Sequence, residues 1–209
     1  ATIDLEAHER GDLTGHELLG RVAASAQRPL DPADLERRWL DMFDRSGEMF
    51  DLANGLMDEY RVYLLSNIGD LHWSHLDATY GIATVGHGAI ASFRVGAVKP
   101  SAAIYRETER RFDLDPAATV FIDDLERNVE GGLNQRLIAL VQQCDLKLHA
   151  GQGVGPGVED LAQAFQASGS SAIHIQTANL VRRRGRRWQQ LARLGDWPGS
   201  AGDDQGLPN

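Results

Sequence analysis

Two apolar stretches that end abruptly in polar residues decide the fold of this chain. The first is Tyr63-Leu64-Leu65-Ser66-Asn67, and the second is Thr119-Val120-Phe121-Ile122-Asp123-Asp124. An apolar run that stops at small polar or acidic residues is typical of a buried parallel strand that delivers side chains to a site at its carboxyl end. Each stretch therefore predicts a strand of a parallel sheet, with its polar residues at the same edge.

The sequence around these stretches alternates between strand and helix patterns. We predict strands over 62–65 and 89–92 and one from Ala118, with helices over 69–80 and from Ser101 to Phe112. Such alternation predicts an α/β, Rossmann-like parallel sheet with helices on both faces. We assign this core to residues 59–195.

The predicted core is interrupted after Gly132. The next strand pattern is Ala172-Ile173-His174-Ile175, so we expect an insertion around 134–157 that lies outside the sheet. Its apolar run, Leu137–Val141, continues a helical pattern, and we predict a helix there. Residues 196–209 are rich in Gly, Pro, Ser and Asp and predict a disordered tail.

Residues 1–58 are predicted to form a separate helical segment. Thr14 and Glu17 have the spacing of a capping box, and Asp31-Pro32 places a cap residue before a proline at the first helical position. Apolar residues follow both signals at helical spacing.

Between the two deciding stretches lies Val95-Gly96-Ala97-Val98-Lys99-Pro100, which places a lysine on a short loop. Together with Ser66, Asp123 and Asp124, this lysine completes a set of one hydroxyl, one ammonium and two carboxylates. Metal-assisted phosphoryl transfer uses such groups, which offset the charge of the phosphate and of the attacking group. Taken singly, each residue is better explained as a helix cap or a surface lysine, and only their joint occurrence at three strand ends or loops favours a site.

These residues, in this order, resemble the haloacid dehalogenase (HAD) superfamily of hydrolases, in the phosphatase-like subgroup with a small helical cap. Ser66 matches the second motif of the family, Lys99 the third and Asp123-Asp124 the fourth, and the run from Phe121 to Gly131 is similar to this subgroup. The resemblance extends from about Glu9 to Gly132 and resumes near Ser171. It implies a Mg²⁺-dependent phosphatase acting on a small phosphorylated metabolite, with a partial cap formed by the N-terminal helices.

The resemblance also implies roles for single residues. Ser66, Lys99 and Asp124 would be catalytic, and Asp123 would bind the metal. The substrate would be bound by Asn67, with its backbone amide, and by Asn128. Trp73, between His72 and His75, is expected to face the substrate at the rim of the site.

The first motif of the family has no match. Its nucleophile is the first Asp of an Asp-x-Asp motif that ends an N-terminal central strand, and the nearest candidate here is Asp4-Leu5-Glu6. We therefore expect the neighbouring strands to be left unpaired, or another segment to fill the gap, for which Leu137–Val141 is the only spare apolar run that is long enough. An impaired phosphatase, a 2-haloacid dehalogenase-like enzyme and a non-catalytic binding module that keeps the HAD fold all remain open.

Composition excludes several other classes. The net charge of −9 argues against a nucleic-acid partner. The arginines from 182 to 187 favour a solvated helix face over a phosphate-binding patch. The single cysteine, Cys144, fits a reducing cytoplasm. No apolar run approaches the length of a membrane span, so we expect no membrane association.

Overall fold

The computed structural model describes residues 3–141, 172–175 and 181–183. The helices are α1 (Leu5–Arg10), α2 (Gly15–Ser25), α3 (Pro32–Leu40), α4 (Gly47–Leu56), α5 (Asp70–Tyr80), α6 (Ser92–Val95), α7 (Ala102–Phe112) and α8 (Glu126–Asn134). The strands are β1 (Phe43–Arg45), β2 (Arg61–Ser66), β3 (Ala89–Ala91), β4 (Thr119–Asp123), β5 (Ile138–Val141), β6 (Ala172–Ile175) and β7 (Val181–Arg183).

Five strands form the parallel sheet that the sequence predicts, in the order β3-β2-β6-β4-β5. The central strand is β6, in which Ile173 lies opposite Val62 on one side and Val120 on the other. All pairings are parallel, so the carboxyl ends of β2 and β4 lie at one edge. The α/β fold class is confirmed.

Alternate residues of β2 and β4 pack against helices on opposite faces of this sheet. Val62 and Val120 belong to a core shared with α4 and α5, whereas Leu65 and Phe121 pack with α7. A period of two is expected for strands that are buried on both faces. Among the described residues, no helix is long and apolar enough to cross a membrane.

Of the two outcomes expected at the centre of the sheet, the structure shows the second: another segment fills the gap, because β6 pairs with both β2 and β4. This segment is the strand predicted over 172–175, and not Leu137–Val141. One expectation about the strands is wrong. The run Leu137–Val141 does not form a helix: α8 ends at Asn134, Arg136 adopts a φ of 67°, and β5 then pairs along the outer side of β4. The remainder of the predicted insertion, residues 142–157, and the predicted tail, 196–209, lie outside the described residues.

The N-terminal segment is helical as predicted, with one short strand that sequence reasoning missed. Thr14 and Glu17 form the capping box, and the Asp31 side chain accepts a hydrogen bond from the backbone of Ala33. The missed strand, β1, pairs antiparallel with β7. Residues 181–183 are therefore a strand and not the helix that the arginine run suggested, and Arg184, Arg186 and Arg187 lie outside the described residues.

The helices α1 to α3 enclose an apolar core of their own. It contains Leu18, Val22, Leu35 and Trp39 among other buried side chains. This core reaches the sheet domain through Leu71 of α5, which packs against it and fills the space beside Gly15. The N-terminal helices are thereby fixed against the helix that directly follows β2 and its loop.

A proline substitution tests the central position of β6. Ile173→Pro removes a backbone N–H from a strand that pairs on both sides, and we expect it to lower the free energy of unfolding by about 3 kcal/mol or more. Ile173→Val keeps the N–H and should cost no more than about 1 kcal/mol. Urea unfolding of both variants measures the difference, and equal effects would contradict the pairing of β6 with β2 and β4.

Candidate active site

The predicted site residues meet at the carboxyl edge of the sheet. Ser66 is the last residue of β2 and Asp123 the last residue of β4, and both are buried. Lys99 lies on the loop between α6 and α7, and its side chain reaches into the space between the two strand ends. The motif residues are thus brought together by the sheet, as the sequence predicts.

The centre of the site is a buried ion pair. Nζ of Lys99 lies 2.7 Å from Oδ2 of Asp123, and both side chains are 0% exposed. The same ammonium donates to the backbone carbonyl of Leu65 at 3.0 Å and lies 5.5 Å from the centre of the Phe121 ring. Carbonyl, carboxylate and aromatic face all favour a cation, so the ammonium is stabilised although it is removed from water.

The second oxygen of Asp123 is also fully engaged. Oδ1 accepts hydrogen bonds from the backbone N–H of Leu125 and from Nδ2 of Asn128, each at 2.9 Å. Leu125 is the N-cap residue of α8 and Asn128 lies in its first turn. Asp123 therefore joins the end of β4, the start of α8 and the lysine loop, and its predicted role as a metal ligand stays a prediction.

Burial and neighbouring charges shift the pKa values of both groups that flank Asp123. Burial lowers the pKa of Lys99, and the carboxylate of Asp123 opposes this effect. The pKa of Asp124 is raised, first by burial and then by the negative charge of Asp123. A carboxylate held in such a place gains from an added cation, which makes Asp124 the better candidate for a metal ligand.

Asn67 bridges the loop after β2 to the lysine loop. Its Nδ2 donates to the carbonyl of Lys99 at 3.0 Å, and its Oδ1 accepts from the N–H of Lys99 at 2.8 Å. The peptide bond between Lys99 and Pro100 is cis. The Asn67 side chain thus fixes the backbone of Lys99 through both of its polar atoms.

Trp73 does not occupy the predicted rim position. It is 3% exposed and packs in the core between α4, α5 and the sheet, with the guanidinium of Arg94 lying 5.1 Å from its ring centre. The neighbouring His72 is buried as well and donates from Nε2 to the carbonyl of Trp39 at 2.8 Å. Both residues lie on the buried face of α5. The spacing of apolar residues in this helix does not show which face is buried.

Sequence reasoning missed Tyr105. Its hydroxyl donates to the carbonyl of Asn128 at 2.6 Å, and its side chain is 1% exposed. Burial, with a smaller effect of Asp123, raises the pKa of this phenol well above its usual range. Tyr105 lies beside Ile104 on the apolar face of α7, so its position in the sequence indicates only core packing.

The described residues fit a Mg²⁺ ion that is shared with a substrate. No group of three or more His, Cys, Asp or Glu side chains within these ranges is arranged to hold a metal. However, Mg²⁺ commonly takes one or two carboxylates together with waters and substrate phosphate oxygens. Asp124 offers such a carboxylate, and the buried Oδ1 of Asn128 is an oxygen without a hydrogen-bond partner.

No protein-family model matches this sequence. Among solved structures, the magnesium complex of the HAD family enzyme BT-2542 from Bacteroides thetaiotaomicron matches with a TM-score of 0.62 at 21% identity, covering 68% of this chain and 76% of that one. A variant of the same enzyme, in complex with magnesium and inorganic phosphate, has the same TM-score and identity and is covered over 77% of its length.

A predicted HAD-like family hydrolase from Porphyromonas gingivalis matches with a TM-score of 0.53 at 22% identity, covering 65% of this chain and 69% of that one. These likenesses show that the chain has the fold of the HAD enzymes. The fold that the motifs implied is therefore confirmed.

A double-mutant cycle tests the buried pair. Lys99→Met leaves the carboxylate of Asp123 buried without its cation, and we expect a loss of about 3–5 kcal/mol in the free energy of unfolding. Asp123→Asn should also destabilise the protein, because it leaves the ammonium without its counter-charge. The double variant removes both charges and should cost clearly less than the sum of the two, as measured by urea unfolding.

The surface pair of the exposed Arg110 and the half-buried Glu107 on α7, which also binds Arg111, is the control for this cycle. Exposed pairs couple by about 1 kcal/mol or less, because water and salt screen them. Additive effects of Lys99→Met and Asp123→Asn, within about 0.5 kcal/mol, would show that the two groups do not interact.

Proposed function

We propose that this chain binds a small phosphate monoester together with Mg²⁺ at the carboxyl edge of the sheet, in a HAD-type hydrolase site. The observation that carries the proposal is the buried pair of Lys99 and Asp123 between the ends of β2 and β4. Burying two charges is costly, and a fold gains little stability from it compared with apolar residues. The pair is thus better explained by a function at this edge than by stability.

Each residue then has a distinct task. The ammonium of Lys99 offsets the negative charge of the phosphoryl group. The hydroxyl of Ser66 and the backbone N–H of Asn67 lie at the end of β2, where they would donate hydrogen bonds to phosphoryl oxygens. Asp124 would hold the Mg²⁺ ion, which when bound offsets the charge of phosphate and carboxylates. Asp123 positions Lys99.

The carboxylate that would attack phosphorus has no counterpart among the motif residues. The strand in the central position, β6, is followed in the sequence by Gln176-Thr177-Ala178-Asn179, none of which is acidic. Asp4, the other candidate, is exposed and caps α1 by accepting a hydrogen bond from the backbone of Ala7 at 2.9 Å. Binding of phosphate is therefore better supported than rapid turnover.

The site favours a metal-dependent reaction over the dehalogenase alternative. A dehalogenase uses a similar nucleophile without a metal, and it has no evident need for a second carboxylate beside Asp123. A phosphatase and a phosphate-binding module share all the described groups and differ only in turnover.

Binding is tested first. Titration calorimetry with Mg²⁺ in the presence of inorganic phosphate should show saturable binding, and Asp124→Asn should weaken the Mg²⁺ affinity by about ten-fold or more. Asp51→Asn, at an exposed carboxylate of α4, is the matched control and should leave the affinity unchanged. Equal affinities for all three proteins would contradict the assignment of Asp124.

Turnover is tested second. With a generic aryl phosphate and Mg²⁺ we expect hydrolysis close to the uncatalysed rate, because loss of a covalent nucleophile costs orders of magnitude. Asp4→Asn keeps the helix cap and should change nothing. Robust turnover that Asp4→Asn abolishes would place the nucleophile at Asp4, and robust turnover that survives it would require another nucleophile.

A further inference from the structure

The hydroxyl of Tyr105 is connected to the centre of the site by a series of hydrogen bonds. It donates to the carbonyl of Asn128 at 2.6 Å. The side-chain amide of Asn128 donates to Oδ1 of Asp123 at 2.9 Å, and Oδ2 of Asp123 accepts from Lys99 at 2.7 Å. A helix that contributes no motif residue, α7, is thereby linked through the first turn of α8 to the carboxylate that holds the lysine.

The close contact between α7 and α8 depends on a glycine, Gly131, in α8. A Cβ atom at Gly131 would lie 2.9 Å from the hydroxyl oxygen of Tyr105 and 2.8 Å from Cβ of Pro100. Real Cβ contacts are not this short, so α8 approaches both residues closely only because residue 131 is glycine. Pro100 directly follows Lys99, and Asn128 of the same helix donates to Asp123. The position of α8 therefore affects both members of the ion pair.

The hydroxyl is not needed to fill space. The ring of Tyr105 already packs edge-on against Phe121, with the ring centres 5.5 Å apart, and a phenylalanine would make the same contact. A buried hydroxyl must find a partner or cost stability. Here its partner is the backbone carbonyl of Asn128, whose side chain donates to Asp123. The hydroxyl therefore restrains Asn128.

We propose that Tyr105 is a positioning residue: through Asn128 it fixes the carboxylate of Asp123 and, with it, the ammonium of Lys99. The consequence for phosphate binding rests on the proposed function. The positioning itself does not, and it is measured without ligand.

The test is the isosteric variant Tyr105→Phe, examined by solution NMR on the full chain. Hydrogen exchange of the Asn128 side-chain amide and of the Lys99 ammonium should become about three- to ten-fold faster, which corresponds to the loss of one hydrogen bond. Mg²⁺-dependent affinity for inorganic phosphate should fall by a similar factor. Tyr80→Phe is the control, because its hydroxyl donates to the carbonyl of Phe43 at 3.3 Å and it lies at the far end of α5.

A second variant, Gly131→Ala, pushes α8 away from Tyr105 and Pro100 and should speed the same two exchange rates. The proposal is overturned if Tyr105→Phe lowers Tm but leaves the exchange of Asn128 and Lys99 unchanged, which would mark the hydroxyl as structural only. It is also overturned if Tyr80→Phe has the same effect on these two groups. Faster exchange in Tyr105→Phe together with no phosphate binding by the unaltered chain would support the positioning and overturn the proposed function.

Discussion

The site depends on one requirement, which is that a lysine and an aspartate share a space that water does not reach. Two charges can be buried together only if good geometry and further hydrogen bonds compensate for their lost hydration. In this chain the ammonium of Lys99 meets Asp123 and the carbonyl of Leu65, and Asp123 meets two further donors. The Asn67 side chain holds the backbone of Lys99, and the start of α8 donates to Asp123, so both help to compensate for the lost hydration.

The same requirement explains why the central strand matters for the site. In the parallel register, Ile175 of β6 lies opposite Leu64 and Ile122. Leu65 and Asp123, which both accept hydrogen bonds from the ammonium, are one residue beyond this level on strands that lie about 10 Å apart. Lys99 therefore links β2 to β4 at the level where β6 ends, and the spacing that it bridges is set by β6.

The strand in this position comes from a different part of the chain than the resemblance implies. The family places its central strand at the N-terminal side of the cap, whereas here the position is taken by residues that follow all the matched motifs. A parallel sheet needs a paired partner at its centre but does not specify where along the chain this partner lies. In the described part of the chain, residues 172–175 thus pair with both β2 and β4 at the centre of the sheet.

The sequence correctly predicted the strands and helices that are determined by neighbouring residues. Its predictions were wrong where contacts with distant segments determine the structure. The end of β2 at Ser66 and the capping of α2 by Thr14 follow from neighbouring residues, and both are found as predicted. Leu137–Val141 becomes a strand because the edge of β4 needs a partner, which no local pattern reveals. The rim position is predicted for Trp73 because it follows Ser66-Asn67 closely in the sequence, but α5 turns this residue into the core.

The adjacent aspartates show how far a motif can be interpreted without a structure. Asp123 closes β4 and Asp124 follows it, and the two carboxylates lie close enough to interact through a side-chain hydrogen bond. Asp123 is the last residue of β4, is fully buried and has both oxygens occupied. Asp124 follows the strand, and burial and the charge of Asp123 raise its pKa. Chemical type alone makes the two residues equivalent, whereas the structure distinguishes them by their contacts: Asp123 binds Lys99 and the start of α8, and Asp124 is the carboxylate that we propose for the Mg²⁺ ion.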